Sequence, residues 1–198
     1  SVDGFLTALP FLRDKGHIAA GHHVLINGAS GSVGSAAVQI AKYYGAEVTG
    51  VCSSANVDLV KSLGADHVID YTTTDFTRNR DAYDIIFDTV GKTTFRECRR
   101  SLGSHGVFLE AGMSIGVLGS VLLSSLFGHR KAKIAATGLR PTSERIEDLK
   151  LLRDLMANGT IVPVIDRVHP LEEIADAHRY VDTGHKKGNV VIRVATEE

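Results

Sequence analysis

The sequence predicts an α/β protein built on a doubly wound, six-stranded parallel sheet, followed by a C-terminal strand-helix-strand strap. Three observations support this class. Short runs rich in Val and Ile alternate with stretches of helical periodicity, a glycine-rich turn follows the first run, and the last part of the chain changes pattern. At 198 residues, 43% of them apolar, the chain can bury a substantial core.

Six strands are expected in the main sheet, each a short apolar run bounded by polar residues or glycine. They are Val24–Asn27, Glu47–Cys52, His67–Asp70, Asp84–Asp88, Gly106–Glu110 and Lys133–Thr137. Apolar residues at helical spacing, followed by a glycine or a turn, predict the connecting helices. These are Val33–Tyr44, Val57–Leu63 and Phe95–Leu102.

One long helix and a separate tail are expected after the sixth strand. Pro141 and two hydroxyl residues precede Glu144, which is a helix-start pattern, and the helix runs to Asn158-Gly159. The tail is predicted to form either an edge of the main sheet or a strap from another domain. Its elements are the strand Val164–Val168, the helix Leu171–Val181 and the strand Asn189–Val194.

Composition and charge argue against several classes of protein. The 22 Lys and Arg residues against 23 Asp and Glu give a net charge of −1, which disfavours nucleic-acid binding and a disordered chain. The uncharged stretch Ala111–Gly128 is interrupted by four glycines and four serines, so no membrane span is expected. Two cysteines and the lack of a signal-peptide pattern indicate a reducing compartment, and we expect a cytoplasmic protein.

A glycine-rich turn, residues 28–34, follows the first strand and leads into a helix. From Ala29 its spacing is A-x-G-x-x-G, the dinucleotide fingerprint of a Rossmann unit with alanine in place of the first glycine. We assign the tight turn to Ala29, the approach of a pyrophosphate to Gly31 and helix–strand packing to Gly34. The alternative is a connector that binds nothing. The fingerprint residues assigned to cofactor binding are Ala29, Ser30, Gly31, Ser32, Val33 and Gly34.

The end of the second strand bears on the choice between NADPH and NADH. NAD-dependent sites usually place an acid about 20 residues after the fingerprint, where it bonds the ribose hydroxyls. Residues 52–56 read Cys-Ser-Ser-Ala-Asn and contain no acid, so Ser53, Ser54 and Asn56 leave room for a 2′-phosphate. NADPH is therefore the expected cofactor, with NADH as the alternative. The same side chains could instead cap the next helix.

Two more strand ends lie at the expected ligand edge of the sheet. Glycines there allow a flat ring to lie against the backbone, although each could equally be a plain turn residue. The residues assigned to the site are Thr89, Val90, Ala111, Gly112 and Met113. No catalytic or metal-binding set is visible, because the histidines lack helical metal spacing and Cys52 has no cationic neighbour in sequence.

Five stretches together resemble the medium-chain dehydrogenase/reductases, in their zinc-independent, quinone oxidoreductase-like branch. They are residues 24–34, 36–42, 62–71, 84–91 and 184–192. The resemblance implies NADPH-dependent hydride transfer to a quinone or to the double bond of an enone, without a metal. It implies that Thr7 approaches the nicotinamide and that Lys186 or Lys187 reaches the cofactor from the tail. It also implies that four residues approach the adenosine end of the cofactor with its 2′-phosphate: Ser53, Ser54, Asn56 and Tyr71.

Two departures from the family pattern matter. Close relatives usually carry Lys or Arg where this chain has Ala55, and family members begin with a GroES-like catalytic domain that is missing here. We therefore expect a Rossmann domain over residues 1–160 and a strap over residues 161–198 that normally completes the absent domain. Such a chain would be inactive alone.

Other functions and partners fit the same residues. One is a stand-alone NADPH sensor or scaffold that contacts a partner through Ile115–Phe127, and another is an enoyl reductase module of a multidomain synthase. The resemblance also implies a homodimer formed through the edge strand Lys133–Thr137.

Overall fold

The computed structural model describes residues 2–112, 129–135 and 139–194. Its main sheet contains β1 His23–Asn27, β2 Glu47–Cys52, β3 His67–Asp70, β4 Tyr83–Asp88, β5 Leu102–Glu110 and β6 Lys131–Lys133. All pairings are parallel, and the strand order is β3-β2-β1-β4-β5-β6. The predicted doubly wound, six-stranded sheet is confirmed.

Helices cover both faces of this sheet. They are α1 Val2–Pro10, which continues as a π-helical turn Phe11–Lys15, then α2 Ser32–Tyr43, α3 Val57–Ser62, α4 Phe95–Cys98 and α5 Thr142–Ala157. A further helix, α6 Ile174–Asp182, lies in the tail. Every residue of β1 after His23 is buried, as expected for a strand covered on both faces. Two apolar clusters result, one joining α1, α2 and α5 to the sheet and a smaller one around Phe108 on the other face.

Helix α1 is an element that the sequence analysis did not predict. Phe5, Ala8, Leu9 and Leu12 recur at helical spacing, and all four are buried against α2 and the sheet. Gly4 and Pro10 within the run weaken its helical signal. Gly4 has a packing role, since a Cβ there would lie 2.4 Å from the backbone oxygen of Ser32.

Two predicted boundaries were wrong. The helix expected to reach Leu102 ends at Cys98, and Leu102 instead begins β5 by pairing with Tyr83 of β4. The sixth strand begins at Lys131 rather than Lys133, because Lys131 to Lys133 pair with residues 107–109 of β5. The end expected at Thr137 lies outside the described residues, as does the proposed partner surface Ile115–Phe127.

The tail forms its own small sheet. Strands β7 Ile165–Pro170 and β8 Asn189–Arg193 pair in parallel, with α6 between them. The tail is thus separate from the edge of the main sheet, which removes one of the two predicted arrangements. Its strands leave apolar side chains partly exposed, among them Ile165 and Val168 at about half of their surface.

Candidate nucleotide-binding site

The turn between β1 and α2 has its left-handed residue at Gly28, where φ is +82°. A Cβ at Gly28 would lie 2.4 Å from Cγ2 of Val90, so glycine is required for space as well as conformation. The predicted position of the tight turn, Ala29, was wrong by one residue. Ala29 is fully buried and packs against Gly50 of β2.

The other two glycines of the fingerprint differ in what surrounds them. A Cβ at Gly34 would lie 2.0 Å from the backbone oxygen of Gly28, so this position brings α2 against the turn, as predicted. A Cβ at Gly31 would meet nothing closer than 3.5 Å, and its φ of −78° suits any residue. The bare backbone at Gly31 is therefore not needed for packing within the turn, which leaves room for a ligand there.

The first turn of α2 offers backbone donors. The N–H groups of Ser32 and Val33 precede the first internal bond of the helix, which Ser35 donates to the oxygen of Gly31. An anion such as a pyrophosphate suits this position because of these donors and the helix dipole. The hydroxyl of Ser32, however, donates to Asn189 of β8 at 2.7 Å, so Ser32 has only its backbone N–H for a phosphate.

Asn56 links the phosphate turn to the end of β2. Its amide nitrogen donates to the hydroxyls of Ser30 at 3.1 Å and Ser53 at 3.3 Å. Its oxygen Oδ1 is buried and has no hydrogen-bond partner among the described residues. A buried acceptor without a donor is costly, and a ribose hydroxyl of a bound nucleotide would satisfy it. This atom lies between the phosphate turn and the end of β2, the two places where a dinucleotide would bind.

The remaining adenosine-end residues are exposed or paired. Tyr71 is 62% exposed beyond β3. Ser54 donates its hydroxyl proton to Asp70, the last residue of β3. An acid thus lies beside the end of β2, although residues 52–56 contain none. Asp70 could not be recognised from the usual spacing, because the parallel pairing of β2 with β3 brings it there from the next strand along the chain.

The end of β4 is organised by Asp88, which is fully buried. One carboxylate oxygen accepts from the backbone N–H groups of Val90 and Gly91 and from Asn27, and the other accepts from the N–H and hydroxyl of Thr93. These bonds fix the loop that carries Thr89 and Val90. The hydroxyl of Thr89 donates to the oxygen of Asn27 at 2.7 Å, whereas Val90 is 48% exposed.

Of the remaining predicted residues, Ala111 and Gly112 lie beside this loop and Thr7 lies on α1. Ala111 donates its N–H to the oxygen of Asp88, which places it and Gly112 beside the end of β4. Met113 lies outside the described residues. Thr7 is partly buried on α1, and its predicted contact with the nicotinamide stays a prediction.

The tail crosses the phosphate turn. Gly188 donates its N–H to the oxygen of Ser30 at 2.8 Å and forms an isolated parallel bridge with Gly31. The ammonium of Lys186 donates to the oxygen of Gly188, and burial lowers the pKa of Lys186. Lys186 is thus brought close to the turn. Lys187 instead uses its backbone N–H to bond Asp166.

The two thiols do not suit catalysis. Burial raises the pKa of Cys52 to about 11 and that of Cys98 to about 12, so both are protonated near neutral pH. Within residues 2–112, 129–135 and 139–194, no three His, Cys, Asp or Glu side chains are grouped to hold a metal ion. No helix in the described part of the chain is long and apolar enough to cross a membrane.

Comparison with known proteins identifies the family. A sequence model described as zinc-binding dehydrogenase matches residues 63–192. The trans-enoyl reductase pgmF of Aspergillus terreus is 32% identical over 194 residues, covering 92% of this chain and 54% of its own length. An NADPH-dependent alkenal/one oxidoreductase of Arabidopsis thaliana chloroplasts is 32% identical over 178 residues, covering 88% of this chain and 41% of its own.

Solved structures agree with this assignment. A quinone oxidoreductase from Coxiella burnetii superposes with a TM-score of 0.84 at 28% identity, covering 97% of this chain and 58% of that protein. The CurK enoyl reductase superposes with a TM-score of 0.84 at 25% identity, covering 97% and 60%. The chain therefore spans about half the length of the curated relatives that it matches.

Proposed function

The chain belongs to the zinc-binding dehydrogenase family, and from this membership we propose that it is the NAD(P)H-binding half of a reductase. The acceptor would be a quinone or the double bond of an enone, which are the substrate classes in the names of its relatives and structural neighbours. The observation that carries the proposal is the pairing of an open Gly31 backbone with the unpartnered Oδ1 of Asn56. A dinucleotide would occupy both.

Each part of the site has a binding task in this proposal. The N–H groups of Ser32 and Val33 bind the pyrophosphate, and the ammonium of Lys186 adds a positive charge from the tail. Asn56 Oδ1 accepts from a ribose hydroxyl. The cofactor itself supplies the hydride when bound, so the chain contributes binding and orientation.

The domain organisation is part of the proposal. Residues 1–160 would form the cofactor domain and residues 161–198 a strap that packs on a catalytic domain outside this chain. The partly exposed apolar side chains of β7 and β8 support this, since such side chains usually meet a partner. The homodimer and the cytoplasmic location also remain proposals, as does the identity of the cofactor, for which the end of β2 alone favours NADPH.

The test is a calorimetric titration of the purified chain with NADPH and NADH. We expect saturable binding of at least one nucleotide, and at least a tenfold loss of affinity in Gly31→Val, whose added methyl groups would occupy the pyrophosphate position (about 1.4 kcal/mol). The Cβ of the new side chain has space within the free protein, so the variant should fold.

The matched control is Gly103→Val, which places the same side chain at the start of β5, at the opposite end of the sheet, where a Cβ has no contact closer than 3.6 Å within the described residues. This control variant should retain far more of the wild-type nucleotide affinity than Gly31→Val does. If a folded wild-type chain binds neither nucleotide, the proposed function is wrong.

A further inference from the structure

Asp70 lies beside the end of β2, where the adenosine ribose of the proposed cofactor would bind. It closes β3 and pairs in register with Cys52, the last residue of β2. Ser53 and Ser54 follow directly, and Asn56 of the same loop reaches Ser30 of the phosphate turn. In this fold the ribose hydroxyls are recognised at the end of β2, so Asp70 is part of the wall of that subsite.

The carboxylate of Asp70 is held by three donors. The hydroxyl of Ser54 donates to Oδ2, and the backbone N–H and hydroxyl of Thr72 donate to Oδ1 at 2.9 and 2.7 Å. These bonds, the one from Ser54 foremost, hold the pKa of Asp70 below its ordinary value. The side chain is therefore a carboxylate at neutral pH.

This arrangement treats a hydroxyl and a phosphate differently. Ser54 has one proton and gives it to Asp70, so its oxygen can accept a hydrogen bond but cannot donate one to a phosphate oxygen. A ribose 2′-hydroxyl can donate to that oxygen or to the carboxylate. A 2′-phosphate can only accept, and it carries a charge of the same sign as Asp70.

No neighbouring side chain in these loops offsets the negative charge. Residues 53–56 and 71–74 contain no Lys or Arg. The room that Ser53, Ser54 and Asn56 leave is thus next to an anion, which weakens the argument for NADPH made from the end of β2 alone.

On the basis of the proposed function, we propose that Asp70 is a specificity-determining residue that disfavours the 2′-phosphate of NADPH, while the Ser54–Asp70 pair accepts the 2′-hydroxyl of NADH. The usual sequence spacing does not reveal this acid, because it belongs to β3 and not to the end of β2. Its effect is set by charge at a partly exposed position, so it should be several-fold rather than absolute.

The experiment measures the dissociation constants of NADPH and NADH for the wild-type chain and for Asp70→Asn at fixed low ionic strength. The amide keeps the size of the side chain and removes its charge. We expect NADPH to bind about threefold to tenfold more tightly to the variant, because the like charge is removed, and NADH to bind no more tightly than to the wild type, because a charged acceptor is lost.

Asp75→Asn is the matched control, because Asp75 accepts from the N–H and hydroxyl of Thr77 at the same 2.9 and 2.7 Å but lies outside the two loops of this subsite. It should leave the ratio of the two affinities unchanged. Ser54→Ala is the second variant: it keeps the charge of Asp70, so it should not tighten NADPH binding.

The outcomes separate the two proposals. If the wild-type chain binds nucleotides but Asp70→Asn does not tighten NADPH relative to NADH, the role of Asp70 is wrong and the proposed function stands. The role is also wrong if Asp75→Asn or Ser54→Ala lowers the dissociation constant of NADPH as much as Asp70→Asn does. If a folded chain binds neither nucleotide, both proposals fail.

Discussion

Gly34 shows how a single hydrogen atom in place of a side chain determines the phosphate turn. The position of its missing Cβ is 2.0 Å from the oxygen of Gly28 and 2.9 Å from Cα of Ala29, both backbone atoms. A backbone contact of this kind cannot be relieved by rotating a side chain. The helix start would have to move away from β1.

We therefore expect Gly34→Ala to lower the free energy of unfolding by about 3 kcal/mol, as overpacking in a rigid setting does. Urea titration measures this change. Gly31→Ala is the control three residues earlier, where a Cβ has ordinary contacts, and it should stay within about 1 kcal/mol of the wild type. Equal losses of unfolding free energy in the two variants would show that the close backbone contact at Gly34 does not limit the side chain there.

At the scale of elements, a buried carboxylate joins the N-terminal segment to α5. Asp148 is 2% exposed and accepts from Arg13 of the π-helical turn at 2.7 Å and from Arg140 just before α5. Removing it would leave two guanidinium groups close together, each without this partner. Such a loss costs more than the intact pair contributes.

We expect Asp148→Ala to lower the free energy of unfolding by about 3 kcal/mol, measured by urea titration. Glu147→Ala removes an exposed carboxylate that pairs with Lys150 at 2.8 Å on the same helix, and it should cost less than about 1 kcal/mol. A small effect at Asp148 would mean that α1 and α5 are joined by apolar contacts alone.

At the scale of the whole molecule, the chain consists of a well-buried main sheet and a lightly buried tail. Residues 24–27 of β1 are all buried, whereas no residue of β7 is buried and four of its six residues are exposed. The contacts of the tail with the phosphate turn include the bonds from Gly188 to Ser30 and from Ser32 to Asn189. Local opening needs least free energy where burial is low.

We expect amide hydrogen exchange in β7 and β8 to be at least about tenfold faster than in β1 and β4. Mass spectrometry after proteolysis at low temperature resolves these segments. Equal protection of both sheets would contradict the prediction, because it would show that the tail and the main sheet open as one unit.

The order of the main strands and helices, the position of the phosphate turn and the family resemblance could all be predicted from the sequence. These depend on local patterns: apolar runs that alternate with helical periodicity, and Gly31 and Gly34 between β1 and α2. Such patterns act over a few residues, so they can be recognised without knowing the partners.

Four features could not be predicted and are seen only in the folded chain: the start of β6, the left-handed turn at Gly28, the position of Asp70 beside Ser54 and the path of the tail over Ser30. Each depends on a contact between segments that are distant in sequence, such as β5 with β6, Val90 with Gly28, or Gly188 with Ser30. Parallel pairing and side-chain packing set these contacts, and they arise only when the sheet has formed.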